Sequence, residues 1–172
     1  MKQPTLHWLK DPRHLLALGF GSGLAPIAPG TFGTLAGAVL YPLIAGLGLP
    51  VYLLLVGAAF LLGVRVCGYT ARALGVHDHS AIVWDEVVGL WITLAAVAPS
   101  WPALLLGFAL FRLFDILKPW PIRWLDRHVQ GGLGIMLDDV LAGVFAGLCL
   151  WLAAVAGWLP ASGKAVGLPI LY

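Results

Sequence analysis

Charge is what this sequence has least of. Ten Lys and Arg and eight Asp and Glu make up only 10% of its 172 residues, against about 25% in a soluble globular domain. Hydrophobic residues supply 60%, and the mean hydropathy is +0.94. So few charges cannot coat a water-facing surface, which excludes an ordinary soluble enzyme and a disordered chain. Cysteine is scarcer still. Cys67 and Cys149 stand among apolar residues, too few for a disulfide framework or a zinc site, and they read as buried thiols. Cys67 and Arg72 are spaced C-x4-R, one residue short of the C-x5-R loop that wraps a phosphate in cysteine phosphatases. The net charge of +2, with no basic run interleaved with aromatics, excludes a nucleic-acid partner. A cleavable signal peptide is not expected, because Gly and Pro break the apolar stretch that follows Lys2, Lys10 and Arg13. What remains is an integral membrane protein with a single domain over residues 1–172.

The few charges fall in four patches, at 2–13, 65–86, 112–139 and Lys164. The uncharged stretches between them are 14–64, 87–111 and 140–163, and the first two are broken by Gly46-Leu47-Gly48-Leu49-Pro50 and Pro99-Ser100-Trp101-Pro102. Clusters of this kind end helices. The pattern predicts an all-α, polytopic bundle of about five short membrane helices, at about 34–48, 51–72, 83–98, 102–117 and 138–158. Several fall short of a full span, so tilt or partial insertion is expected. Every charge but Lys164 then lies on one side, which the positive-inside rule makes the cytoplasmic face. Trp8, Trp101, Trp120, Trp124 and Trp158 fall near the predicted boundaries, as interfacial anchors do.

Seven of the eight acids lie between 78 and 139: Asp78, Asp85, Glu86, Asp115, Asp126, Asp138 and Asp139. Several adjoin strongly apolar helices, where a carboxylate is costly unless it is paired or metal-bound. One acid at a predicted helix start is accounted for by the macrodipole. Two doublets, Asp85-Glu86 and Asp138-Asp139, together with Asp115 on one face of the membrane, are not. Clustered carboxylates repel, and a hard divalent cation neutralises them; Mg²⁺ fits best, since no Cys/His set is available for zinc. Arg112, Asp115 and Lys118, spaced i, i+3, i+6, share one side of a helix that Pro119 stops. With Arg123 and Arg127 close by, they suggest an anionic substrate gripped by both metal and cations; positive-inside anchoring is the alternative. Asp126 reads as the ion-pair partner of Arg127. His77-Asp78-His79 offers a proton donor or phosphate contact, or simply a solvated loop. His7, His14 and His128 read as structural or interfacial.

Residues 19–34 read GFGSGLAPIAPGTFGT. A dinucleotide fingerprint would need glycine where Leu24 stands, and a Walker loop would need G-K-[ST], so both nucleotide readings fail. A tight loop bearing Ser22, Thr31 and Thr34 remains, with Thr34 expected as the N-cap of the first membrane helix. N–H groups at that helix start can hold a phosphate; glycine for close packing in the membrane is the alternative.

Four blocks stand in order along the chain: GFGSGLAPIAPGTFGTLAG, HDHSAIVWDEVVGLWITL, FRLFDILKPWPIRWLDR and GGLGIMLDDVLAGV. Together they resemble the phosphatidylglycerophosphatase A family of bacterial inner-membrane lipid phosphatases, over about residues 14–148. The resemblance implies an all-helical fold and Mg²⁺-dependent hydrolysis of the lipid phosphatidylglycerophosphate to phosphatidylglycerol and inorganic phosphate, a step of phospholipid biosynthesis. It places the site at the cytoplasmic boundary of the cell inner membrane. Asp85, Glu86, Asp115, Asp138 and Asp139 are the expected metal ligands and catalytic groups. Arg112, Lys118 and Arg123 are expected on the phosphates, with Ser22, Thr31, Thr34, His77 and His79 as further contacts. The D-x-D-x-T, P-S-G-H and D-G-x-x-A-R patterns of other phospholipid enzymes are absent from the sequence. Attack by a metal-bound water is therefore expected, with a Ser22 or Thr31 hydroxyl as the open alternative. A divalent-cation transporter would use the same carboxylates, but nearer the middle of its spans.

Overall fold

The computed structural model describes residues 3–76 and 79–159. His77, Asp78 and Lys164 lie outside the described residues. Among the described residues the chain is all-helical, with no strand. The helices are α1 (Pro12–Ala17), α2 (Pro29–Leu40), α3 (Pro42–Ala45), α4 (Leu49–Leu74), α5 (Trp84–Leu94), α6 (Trp101–Leu117), α7 (Ile122–His128) and α8 (Gly131–Val155). A 3-10 turn over Gly19–Leu24 joins α1 to α2.

Proline sets several of the starts. Pro29, Pro42, Pro50 and Pro102 occupy the first turns of α2, α3, α4 and α6, where a missing N–H is no loss. Ser100 Oγ caps α6 by accepting from Ala103 N–H at 3.3 Å. Gly75, at φ +77°, ends α4 in the left-handed conformation that glycine adopts freely.

Three sequence expectations are corrected. The first helix begins at Pro29, not at 34, and breaks at Tyr41-Pro42; Thr34 therefore lies inside α2 and is no N-cap. Ala28, in the left-handed region at φ +49°, takes that place. The last helix begins at Gly131, seven residues before the expected start. Its glycine-rich first turn reads as a loop by propensity, but a Cβ on Gly132 would collide with the Val64 carbonyl, so the glycine lets α8 lie against α4 and packing overrides propensity. Asp138 and Asp139 are consequently roughly 10–12 Å inside α8, at 1.5 Å per residue, rather than at its N-terminus. Finally, a further short helix, α7, stands between the helices expected at about 102–117 and 138–158.

Central to the bundle is α8, against which α4, α5, α6 and α7 all pack. Close against it lies α5, whose Val87, Val88, Leu90 and Leu94 are buried. At the crossing, a Cβ on Gly143 would lie 2.5 Å from Gly89 O, and one on Gly89 would lie 2.9 Å from Asp139 O. Thr93 Oγ1 sits 3.0 Å from Gly89 O and 3.3 Å from Gly143 O. Small residues thus bring the two backbones together. Gly89 meets Gly143 and Thr93 meets Gly147, equal steps that make the two helices parallel. Trp91 ties α5 to two further helices: its Nε1 donates to Gly37 O of α2 at 2.9 Å, and its carbonyl accepts from Tyr52 Oη of α4 at 2.6 Å.

Among the described residues two helices, α4 with 26 residues and α8 with 25, are long and apolar enough to cross a membrane. Only 22% of the apolar window of α4 is buried within the protein, so most of its apolar surface faces outward. Leu54 and Leu61 on α4, Leu105 and Ile116 on α6, and Leu148 and Leu152 on α8 continue that exterior.

Candidate active site

Asp85 and Glu86 stand in the first turn of α5. The parallel glycine crossing sets Asp139 of α8 level with them, one turn before Gly143. One carboxylate oxygen from each of Asp85, Glu86 and Asp139 lies within 4.8 Å of the others. Asp115 of α6 adds a fourth acid, close enough to both Asp139 and Glu86 for their charges to interact. Arg112, one turn earlier on α6, is ion-paired with Asp115 and places Nη1 3.8 Å from Glu86 Oε1.

The fourth wall is the start of α2. A Cβ on Gly30 would collide with Glu86 Oε1 and lie 3.1 Å from Arg112 Nη1. Thr34 Oγ1, which donates to Gly30 O at 2.8 Å, lies 3.5 Å from Arg112 Nη1. Four helices thus converge on four carboxylates and one guanidinium.

That excess of negative charge suits a positive occupant. Glu86 Oε2 is buried and has no hydrogen-bond partner among the described residues, although buried acceptors are nearly always satisfied. A cation would satisfy it. The donors are all oxygen, which suits a hard divalent ion such as Mg²⁺ and not zinc or copper.

Asp138 has a different environment. Consecutive helical residues point about 100° apart, and Asp138 turns to Lys118, whose Nζ lies 2.6 Å from Asp138 Oδ2 and 2.6 Å from Asp126 Oδ1. Burial alone would lower the Lys118 pKa, but Asp138 and Asp126 outweigh it and hold the ammonium well above its ordinary value. Lys118 adopts the left-handed conformation at the end of α6, with φ +42°, and so reaches both α7 and α8.

The remaining expected contacts are more dispersed. Ser22 Oγ donates to Gly19 O at 2.8 Å within its own turn, which packs on residues 81–83. His79 is buried, and its Nδ1 accepts from Ala81 N–H at 3.1 Å. Thr31, half-buried in the first turn of α2, donates its N–H to Ala28 O. Arg123 is exposed on α7 and donates to Leu117 O at 3.5 Å. His77 lies outside the described residues. The structure thus gathers Asp85, Glu86, Asp115, Asp139, Arg112 and Thr34, and sets Lys118 and Asp138 beside them as an ion-paired group. Sequence reasoning missed Gly30, although a Pro-Gly step opening the first apolar helix is the signal for it. It also missed the partner of Asp126, which is Lys118 rather than Arg127.

The profile of the family described as phosphatidylglycerophosphatase A matches residues 15–154. Over 139 residues the chain is 51% identical to phosphatidylglycerophosphatase A of Escherichia coli K12, covering 80% of this chain and 81% of the relative. It is 50% identical over 153 residues to the Haemophilus influenzae protein of the same name, covering 88% and 93%. A putative phosphatidylinositol-3-phosphatase of Bacteroides thetaiotaomicron is 40% identical over 155 residues, covering 84% and 93%. No solved structure matches the chain.

Proposed function

Since the chain belongs to the phosphatidylglycerophosphatase A family, we propose that it hydrolyses phosphatidylglycerophosphate to phosphatidylglycerol and inorganic phosphate. The observation that carries this reading is the meeting of Asp85, Glu86 and Asp139 within 4.8 Å, with Arg112 at their edge.

In this mechanism Asp85, Glu86 and Asp139 would hold Mg²⁺. A bound ion there would supply polarisation of the phosphomonoester and a water of lowered pKa as the nucleophile. Arg112 donates guanidinium N–H groups to the phosphoryl oxygens as the P–O bond to glycerol breaks, and the departing glycerol oxygen takes up a proton released by the attacking water. Asp115 and Thr34 hold that guanidinium in place. Gly30 leaves room for the phosphate beside Glu86. Lys118 neutralises Asp138, so that only Asp139 of the doublet is offered to the metal.

The protein sits in the bacterial inner membrane, with α4 and α8 crossing it and α2, α5 and α6 inserted as shorter helices. The outward apolar faces of α4, α6 and α8 support this. Arg65, Arg72, Arg123 and Arg127 lie toward the site's end of the bundle, the arrangement expected of a cytoplasmic face. The deciding experiment is phosphate release by the purified protein from phosphatidylglycerophosphate, with and without Mg²⁺. Phosphatidic acid and phosphatidylinositol 3-phosphate serve as comparison substrates. Release that is unchanged by chelation, or equal for Asp139→Asn and wild type, would reject the reading.

A further inference from the structure

The seven residues of α7 carry chemistry that the hydrolytic site does not use. Ile122 is its buried anchor, while Arg123, Trp124, Arg127 and His128 are exposed. Arg123 and Arg127 are four apart, as are Trp124 and His128, so the pairs form adjacent rows on one side of the helix. Trp124 is held in place by His128, which stacks on it at 4.9 Å and donates Nδ1–H to its carbonyl at 2.8 Å. With Leu117, Lys118, Pro119 and Trp120, these residues line a cavity of about 370 Å³. No carboxylate lines it. Neither Arg123 nor Arg127 has an ion-pair partner among the described residues.

Trp120 is 81% exposed and Trp124 51%. Two indoles so exposed are unfavourable in water but suited to the headgroup level of a bilayer, where the ring finds apolar surface and the N–H finds acceptors. Unpaired guanidiniums between them call for an anion of the same environment. The hydrolytic site is not its destination. None of Asp85, Glu86, Arg112, Asp115 or Asp139 lines this cavity, and its lining Lys118 is held by Asp138 and Asp126.

We propose that the α7 cavity binds the phosphodiester headgroup of an anionic phospholipid other than the substrate. Arg123 and Arg127 hold the phosphate, and Trp120 and Trp124 flank the glycerol region. The inference rests on the membrane-embedded reading above, but not on the reaction. Through Lys118 the lipid sits one ion pair from the helix that carries Asp139.

Native mass spectrometry of the full chain in detergent, titrated with equal phosphatidylserine and phosphatidylcholine, tests this without turnover. Wild type is expected to retain phosphatidylserine over phosphatidylcholine roughly five- to thirty-fold, the range that one or two basic contacts give. Arg123→Gln with Arg127→Gln should bring that ratio near one, and each single change should fall between. Arg65→Gln with Arg72→Gln, on α4, should retain the preference. Equal retention of the two lipids by wild type, or equal loss from the α4 pair, would overturn the proposal. So would displacement of phosphatidylserine by stoichiometric phosphatidylglycerophosphate without Mg²⁺, which would assign the cavity to the substrate's own diester. A protein without phosphatase activity could still pass, so the two readings fail separately.

Discussion

Gly30 of α2 and Glu86 of α5 approach so closely that a methyl group on the glycine would overlap the carboxylate oxygen. The first turn of α2 is therefore a wall of the acidic cluster and not merely a connection leading to it.

Gly30→Ala should displace Glu86 and crowd Arg112, an overpacking of about 1–3 kcal/mol if the cluster were rigid. The carboxylate end can rotate away, so the loss should fall on function more than on stability. Phosphate release is expected to drop at least about tenfold, with Tm changed little.

The acids of the second doublet should separate in a thermal melt. Asp138→Asn breaks the bridge to Lys118 and lowers stability by about 2–3 kcal/mol, below the fully buried range because Lys118 is partly exposed. Asp139→Asn relieves carboxylate repulsion and should keep or raise Tm in the absence of Mg²⁺, while turnover falls by more than the roughly 10–100-fold lost with an outer-sphere metal partner. The folded pKa of Lys118 is raised, so its contribution is complete below the ordinary value of 10.5 and fades only in more alkaline solution. The Tm deficit of Asp138→Asn should accordingly persist across neutral pH. A similar deficit in Asp139→Asn would contradict the division of roles.

Gly143→Ala tests the crossing itself. Its Cβ would lie 2.5 Å from backbone, Gly89 O, which cannot rotate away. It should push α5 from α8, separate Asp85 from Asp139, and lower both Tm and apparent Mg²⁺ affinity. The affinity is read from the Mg²⁺ dependence of phosphate release.

Metal removal gives a readout independent of substrate. An ion bound only by the folded state stabilises it by about 2.7 kcal/mol at a hundred times its Kd. Saturating Mg²⁺ should raise the Tm of wild type, EDTA should reverse this, and Asp85→Asn should abolish the rise.

The acids stood out in the sequence because carboxylates beside apolar helices are conspicuous, and Pro and Gly punctuation marked most helix ends. The start of α8 was not legible. Gly131-Gly132-Leu133-Gly134 has loop-like propensity, and the close packing of Gly132 on the Val64 backbone is a tertiary contact that propensity does not reveal. That one displacement moved Asp138 and Asp139 from a helix end to its interior. The sharing of Lys118 between Asp126 and Asp138 was equally hidden, because it depends on the left-handed turn at residue 118. Arg112 and Asp115 were correctly read as neighbours, since their spacing is local.

The Lys118 bridge also bears on how the chain is assembled. Lys118 is synthesised twenty residues before Asp138. On the proposed membrane-embedded reading, the ammonium that neutralises the first acid of α8 is in place at the end of α6 before α8 enters the bilayer. Asp139 is the one acid of the doublet without that provision, and a lone carboxylate is unfavourable in hydrocarbon. On that reading, insertion of α8 is favoured by completion of the α5–α6 pair that receives Asp139.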